Sequence, residues 1–570
     1  MSSLGIDLGT TFTCAFMADE DGNLDVLELH HGHRVTRSVV QILNGKWSLP
    51  RPTDLPGRQR VHLALAKRLL GRTDDDGFLE EDMFTAPHAV IDNHKPVFQV
   101  GQDRIHPEEV SAFILGRIRN LASARSSAEL TICVLAVPAY FTHQQREATL
   151  DAAEIAGFNR QRVRLVPEPL AALVAYVEGN KSASDGHWFV IDIGGGTSDV
   201  TVAYIERAEE RHSYVVKASA GNNNLGGINF DNSMQELVAD SANLRWEPEG
   251  KHIGQYYSED GCVVDKIRLQ AACEVAKEEL SHTATTNVVL QDMTGDVISE
   301  VAVTAKEAEE AWKDEVSKVK ELFQDALSQI SREKISNVLV AGGTGNMACV
   351  RSIIGEMLPD AQIHYSHLSE AVGRGAAVIA GNPKIFMTSV LPRAIGVELA
   401  NGGMGVVLGR HEPLPAWARE TFESTDSGTG DTSTLCIQVY EGDYEMARQN
   451  ILLGNFVIRN VPPSDTPVDV EINVDRLGEI SVTAQTDSSS GSLDITYEPS
   501  HSPEELKSLG HLTSMRLEGK TSPATGQVKR ATNGGDSLKR GRDDDSPSQA
   551  TFIPIKRSRR VEVIESDSDE

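Results

Sequence analysis

The sequence predicts a mixed α/β body over residues 1–382, a connecting segment at 383–389, an all-β sandwich over 390–498 and a largely disordered tail at 499–570. Three observations carry this prediction. A Gly-rich phosphate-loop pattern occurs twice, as GIDLGTTF at Gly5–Phe12 and VIDIGGGTSDV at Val190–Val200. Up to Asn382-Pro383, apolar strand-like runs alternate with helix-like stretches. Beyond it the hydrophobic period drops to two, and Gly, Asp, Asn and Pro turns separate the runs.

In each copy of the repeat an apolar strand ends in an Asp, a Gly-rich turn follows, and the chain returns as a second strand. A turn of this kind presents successive backbone N–H groups, which bind anions. Asp7 and Asp192 sit just before the turns, where a carboxylate holds the water shell of Mg²⁺. Two facing hairpins grip a polyphosphate from both sides. The strand-like runs of the body include Thr131–Val137, Trp188–Ile193 and Asn337–Ala341, and the helix-like ones Glu108–Ala124 and Thr304–Ile330. In the sandwich, strands are read at Val406–Leu408, Leu435–Tyr440, Val468–Val474 and Ile480–Ala484. His501–Leu509 reads as a short helix capped by Ser502, and the rest of the tail lacks the apolar residues a core needs.

A chain of 570 residues exceeds what one core usually supports. The six cysteines (Cys14, Cys133, Cys262, Cys273, Cys349, Cys436) contain no C-x-x-C pair, so neither a zinc site nor a disulfide framework is indicated, and a reducing compartment is expected. The N-terminus shows no basic flank or apolar signal core, and no stretch reaches the length of a membrane span, so no membrane role is expected. A net charge of −29 argues against direct nucleic-acid binding by the folded body.

The motifs resemble the Hsp70 chaperone family. Besides the two hairpins, the resemblance rests on AKRLLGR (Ala66–Arg72), VPAYFTHQQREATLDAAEIAGF (Val137–Phe158), EPLAALVAY (Glu168–Tyr176), LGGINFDN (Leu225–Asn232), QVYEGD (Gln438–Asp443) and NILLGNF (Asn450–Phe456). These follow the family's order and spacing over about residues 1–500. The resemblance implies an actin-like ATPase domain of duplicated ribonuclease-H-like lobes, joined to a β-sandwich peptide-binding domain. It also implies ATP/ADP and Mg²⁺ as cofactors, unfolded or nascent polypeptide as client, a J-domain cochaperone and a nucleotide exchange factor as partners, and a cytoplasmic or nuclear location.

Residue by residue, the phosphates fall to Gly9, Thr10, Thr11, Phe12, Gly194, Gly195, Gly196 and Thr197. Asp7, Asp192 and Asp199 match the family's carboxylates that hold magnesium through water, and three such groups together need a cation to offset their repulsion. Lys67 matches the catalytic lysine, which stabilises developing charge and orients the attacking water. Glu168 matches a glutamate that positions water or relays the interdomain signal, although Pro167 and Leu170 replace the family's Asn and Thr around it. Thr197, with Asp7 and Asp199, completes the expected catalytic set.

At the nucleoside end the pattern keeps Glu274, Lys277, Ser281, Gly342, Gly343 and Thr344. The two arginines that flank adenine in the family are replaced by Glu278 and Asn346. Each cation–π stack contributes about 0.5–2 kcal/mol, so losing both implies an affinity weakened by about five-fold to about 1000-fold, and it admits GTP.

Pro138 and Arg146 match positions that link the ATPase lobe to the β domain. The segment Lys384-Ile385-Phe386-Met387-Thr388 is apolar enough to dock as an added strand, with Lys384 reversing the charge the family carries there. Val397, Phe422, Leu435 and Ile437 resemble groove-lining positions, and serve equally well as sandwich core. The helical lid is nearly absent, so bound peptide should escape fast. This architecture resembles the lidless, ribosome-linked members of the family.

In the tail, KRGR (Lys539–Arg542) and KRSRR (Lys556–Arg560) are spaced like a bipartite nuclear-import signal. VEVIESDSDE (Val561–Glu570) resembles a SUMO-interacting strip, and phosphorylation at Ser566 or Ser568 would deepen its charge. The function expected is a chaperone that slowly hydrolyses ATP. A nucleotide-binding regulatory scaffold or cochaperone with little turnover keeps the same fold. A small-molecule kinase of the actin-like superfamily also uses paired phosphate hairpins, but the attached sandwich argues against it.

Overall fold

The fold is described from a computed structural model. It covers residues 2–520 apart from 20, 52–60, parts of 75–87, 127–129, 249–253, 293, 367–368, 425–432, 462–465, 477, 487–489 and 495–500, and it includes 552–553 and 555–557 of the tail. Two compact units result, Met1–Met387 with Ser500–Gly526, and Thr388–Pro499 with Gln527–Glu570.

In the first unit the elements that frame the site are β1 (Ser2–Leu8), β2 (Phe12–Ala18), α1 (Ala66–Leu69), α2 (Pro107–Arg125), β3 (Leu130–Val137), α3 (His143–Ile155), β4 (Val163–Pro167) and α4 (Glu168–Gly179). There follow β5 (Gly186–Ile193), β6 (Ser198–Arg207), β7 (His212–Asn222), α5 (Gly227–Ser241), α6 (Lys266–Leu280), β8 (Ile335–Ala341), β9 (Gln362–Tyr365), α7 (Ala371–Gly381) and β10 (Ile385–Thr388).

The repeat seen in the sequence is a repeat of topology. One sheet runs β4-β3-β1-β2 and on to Leu24–Val26, and the other runs β9-β8-β5-β6-β7-β10. In each, two parallel neighbours lie on one side of the first hairpin strand and its antiparallel return on the other. Asp7 stands opposite Ala136 of its parallel neighbour, and Asp192 stands opposite Ala341 of its own. Such strands are covered on both faces, so they read as near-continuous apolar runs: Leu4, Ile6, Val190, Ile191 and Ile193 are all fully buried.

The second unit contains β11 (Ile395–Glu398), β12 (Met404–Leu408), β13 (Ala416–Ser424), β14 (Ser433–Glu441), β15 (Ile451–Val461), β16 (Pro467–Val474), β17 (Ile480–Gln485) and β18 (Ser490–Asp494). They form two antiparallel sheets, β12-β11-β14-β15 and β18-β17-β16-β13. Their inward residues make one core around Phe422, Ile437, Val470 and Val482.

The tail departs from the expectation of one short helix followed by disorder. Helix α8 runs over Pro503–Leu517, a turn and more beyond Leu509. Its cap is the one read from the sequence, since Ser502 Oγ accepts from Glu505 N–H at 3.2 Å. The extension follows from apolar residues that the polar average of the segment conceals. Leu506, Leu509 and Leu517 pack on the core of the first lobe, and Leu512 is buried. Arg516 donates to Glu109 at 2.6 Å with both side chains buried, and its guanidinium lies 4.0 Å from the Trp47 ring centroid. Two further strands, β19 (Phe552–Ile553) and β20 (Ile555–Arg557), join the sandwich. Lys539–Arg542, the end of the KRSRR cluster, and Val561–Glu570 lie outside the described residues.

The start of α8 carries a pH-sensitive contact. His501 sits edge-on to His106 at 4.6 Å between ring centroids and 3.8 Å from Glu108. Burial works to lower the His501 pKa, but Glu108, then Glu109 and Asp151, hold it above the usual histidine range. For Glu108, burial is outweighed by His501 and His106, and the carboxyl lies below its usual value. His106 is held low by burial, with Lys95 and His501 adding to that and Glu108 and Glu109 opposing it. Asp151 is pushed up to about 6 by burial, against the opposing pull of Arg160.

The raised His501 contributes stability below its unfolded pKa of about 6.5 that is lost as pH rises through the folded value. The lowered Glu108 contributes stability above about 4.5 that is lost on acidification. His106 opposes His501 below about 6.5. Melting temperature measured across about pH 4–9 is expected to fall on both sides of a mildly acidic maximum. His501→Gln is expected to flatten the alkaline limb, and an unchanged limb would show that His501 contributes nothing there.

Candidate functional site: a polyphosphate cleft between the lobes

The two Gly-rich turns meet across the cleft of the first unit. A Cβ at Gly195 would lie 1.9 Å from Thr11 Oγ1 and 3.0 Å from Thr11 Cβ, so any side chain there would have to push Thr11 aside. Behind the second turn, Gly194 O accepts from Gly227 N–H at 3.0 Å and from Thr344 Oγ1 at 2.9 Å, and Gly195 O accepts from Ile228 N–H at 2.8 Å. Gly194 N–H closes the turn on Thr197 O at 3.0 Å. Thr10 and Thr197 are buried at the turn tips. Gly342, at φ 73°, lets the chain after β8 pass Asp192, where a Cβ would come 2.7 Å from its Oδ1.

Under the turns the structure gathers four carboxylates, Asp7, Glu168, Asp192 and Asp199, with Lys67 among them. Lys67, Glu168, Asp192 and Asp199 are each less than a tenth exposed, and Asp7 beside them is half-buried. Burial, then Glu168, pushes Asp7 up to about 7. Burial, then Glu168 and Asp199, raises Asp192 well above the carboxylate range. Burial, then Glu168, takes Asp199 to about 8, even though its Oδ1 accepts from Tyr140 N–H at 3.1 Å. Lys67, carried on α1, pairs with Glu168 at the first turn of α4. Burial works to lower its pKa, and Glu168 and then Asp7 outweigh burial to hold it above the usual lysine value. Four acids share this space with one lysine, and their mutual repulsion adds to burial in raising Asp7, Asp192 and Asp199. The sequence placed all five residues here. Leu170, which replaces a family Thr, is buried and has no hydroxyl to offer.

Beyond the turns opens a cavity of about 700 Å³, within the size range of small-molecule sites. Thr10, Thr11 and Phe12 line one side, Glu274, Lys277 and Ser281 of α6 and its end another, and Gly343, Thr344 and Asn346 a third. Lys277 pairs with buried Asp231 at 2.7 Å and donates to Gly227 O at 3.2 Å. Glu278 and Asn346 occupy the lining as the sequence indicated. Two arginines escaped the sequence reading. Arg37 lines the cavity, 3.5 Å from Glu274 and 5.2 Å from the Phe12 ring centroid. Arg351 donates to Asn346 Oδ1 at 3.2 Å and to Ser281 O at 3.3 Å. Neither lies in a motif, and only tertiary packing brings them here.

The model of the family described as Hsp70 protein matches residues 3–529. The chain belongs to the Hsp70 family. It is 30% identical over 548 residues to a ribosome-associated molecular chaperone of Saccharomyces cerevisiae, covering 90% of this chain and 84% of that protein. It is 31% identical over 526 residues to the ribosome-associated molecular chaperone of Candida glabrata, covering 87% and 81%. With the heat shock 70 kDa protein of Emericella nidulans it shares 30% over 507 residues, covering 85% and 75%.

Two features of this Hsp70 acquire local reasons. Arg146 donates to Phe141 O and Ala139 O, each at 3.4 Å, and so holds the Pro138–Phe141 turn. That turn supplies the Tyr140 N–H that meets Asp199. Lys384 meets an acidic turn, donating to Glu209 O at 2.9 Å with Glu210 at 3.8 Å. Its own carbonyl accepts from His212 N–H at 2.8 Å, and Arg211 lies 4.4 Å from the Phe386 ring centroid. The connecting segment thus forms the edge strand β10 beside β7, its charge answered locally. In the sandwich, Val397, Phe422, Leu435 and Ile437 are each at most 1% exposed and belong to the core, the alternative the sequence left open for them.

Proposed function

We propose that this Hsp70-type chaperone binds MgATP between the two hairpins, hydrolyses it slowly, and engages unfolded or nascent polypeptide through its β-sandwich. The observation that carries the reading is the contact of Gly195 with Thr11 above Lys67 and a cluster of three buried carboxylates and the half-buried Asp7. Asp7, Asp192 and Asp199 would hold Mg²⁺ through its water shell, and the ion would neutralise phosphate charge. The turn amides with Thr10, Thr11 and Thr197 bind phosphate oxygens. Lys67 stabilises negative charge that develops during transfer, and Glu168 fixes the lysine and orients water. The actin-like two-lobed architecture, the domain bounds 1–382, 383–389 and 390–498, and the interdomain role of Pro138 and Arg146 are part of this reading.

The relatives whose names call them ribosome-associated support nascent chains as clients. A J-domain partner and an exchange factor would complete the cycle, and the basic and acidic tail segments would serve nuclear import and SUMO docking. A second reading, a regulatory scaffold with little turnover, is favoured by the closed Lys67–Glu168 pair and by Glu278 and Asn346 at the base-binding end.

Calorimetric titration with ATP, GTP and ADP in Mg²⁺ tests the site. ATP is expected to bind about five-fold to about 1000-fold more weakly than to an Hsp70 that keeps both adenine-flanking arginines, with GTP within about tenfold of ATP. ATP affinity equal to that of such an Hsp70 would reject the weakening. No heat with any nucleotide, and no gain in melting temperature, would overturn the reading.

A further inference from the structure

The tail strands lie where the two sheets of the sandwich are open. Without a further partner β13 is the edge of its sheet, because β16 covers only one side of it. The first residues of β14 are likewise open on one side, since β11 pairs only with Val439, Tyr440 and Glu441. Exposed N–H and C=O groups on such edges are templates for an added strand. The structure fills both from one short segment. Phe552 and Ile553 pair in parallel with Thr434 and Leu435, and Ile555, Lys556 and Arg557 pair antiparallel with Ser424, Glu423 and Phe422.

The sequence of the segment suits this passage. Phe-Ile and Ile are strand formers, and in the sequence they are separated by Pro554, which has no N–H to donate to a ladder. The backbone register sets Lys556 opposite Glu423. Phe422 and Leu435, two of the residues that the sequence compares with peptide-groove positions, are themselves register partners of the tail. Their side chains are core, so what they present to a strand is backbone.

We propose that Phe552–Arg557 is a resident pseudo-peptide. It occupies a strand-acceptor site on β13 and β14, and an extended client segment of apolar residues followed by basic ones must displace it to bind. The competition rests on the peptide-binding reading above, whereas the occupancy does not. Being covalently attached, the tail competes at an effective concentration on the order of millimolar, which is a barrier to weak clients. The same pairing holds Lys556 and Arg557, the first two residues of the KRSRR cluster, in a strand, so displacement by a client would also release that cluster.

The test uses the full chain and its Ile553→Asp/Ile555→Asp variant, which leaves the sandwich sequence untouched. Two quantities are measured: hydrogen exchange of the segments containing Phe422–Ser424 and Thr434–Leu435, and binding of a fluorescein-labelled peptide QATFIPIKRS. The expected result is faster exchange of both segments in the variant and peptide affinity raised at least about tenfold. Unchanged exchange overturns the occupancy whatever the peptide does. Faster exchange without peptide binding supports the resident tail and instead defeats the client-binding reading. Equal peptide affinity for the two proteins, with exchange altered, overturns the competition.

Discussion

Lys67→Ala is expected to slow single-turnover ATP hydrolysis by about 10²–10³-fold, the usual cost of removing one charge-stabilising donor at a transferring group. Nucleotide binding is expected to survive, because the turn amides and the three aspartates are untouched. The magnitude follows from the setting. Lys67 is buried with Glu168, Asp192 and Asp199, so its charge acts in a medium far less polarisable than water. It is also pre-positioned by Glu168, so it needs no reorganisation as charge develops. Lys67→Arg is expected to recover little, because the guanidinium fork is larger and the pocket is closed around an ammonium. The readout is single-turnover hydrolysis with and without unfolded peptide. Peptide-stimulated turnover in the wild type, lost in the variant, supports the chaperone cycle. Tight binding with no turnover in the wild type supports the scaffold reading.

The second large effect is expected at the tail helix. Arg516→Ala leaves Glu109 as a buried carboxylate without its guanidinium partner, at a cost of about 3–5 kcal/mol. Because α8 ends the described part of the first unit, undocking is a cheaper response than global unfolding, and it limits the loss. Hydrogen exchange across Pro503–Leu517 is therefore expected to approach that of a free segment, while β1, β3 and β5 keep their protection. The double variant Arg516→Leu/Glu109→Leu is expected to return most of the protection, since replacing both partners by apolar groups removes the stranded charge. Lys520→Ala, which removes an exposed pair with Glu518, is expected to change nothing measurable. Equal exchange of α8 in wild type and Arg516→Ala would remove the ion pair from any role in docking.

The legibility of these features in the sequence differs for physical reasons. The hairpins were readable because a turn that brings backbone amides to an anion needs glycine at fixed spacing, and because the aspartates must adjoin it. Lys67 and Glu168 were assigned by motif, and their pairing across a hundred or so residues of chain was not. The Ser502 cap was readable because capping is local, whereas the length of α8 was not, because Leu512, Arg516 and Leu517 gain their burial and partners only from α2, Trp47 and the rest of the lobe. Lys384 looked like a mismatch because its acidic partners belong to the turn between β6 and β7, far away in sequence. The tail strands hid in a polar composition, since so few residues completing a sheet edge need no periodic pattern of their own.

By itself the sequence determined the duplicated hairpin topology, the carboxylate set and the change from an α/β body to a β-sandwich. Each of these is written in local chemistry: backbone conformations, residue spacing and the period of burial. Tertiary structure alone decided that Arg37 and Arg351 stand beside Glu274, Ser281 and Asn346, that α8 belongs to the first unit, and that the tail completes the sandwich. Those outcomes depend on which surfaces meet after the chain has folded, and no window of neighbouring residues holds that information.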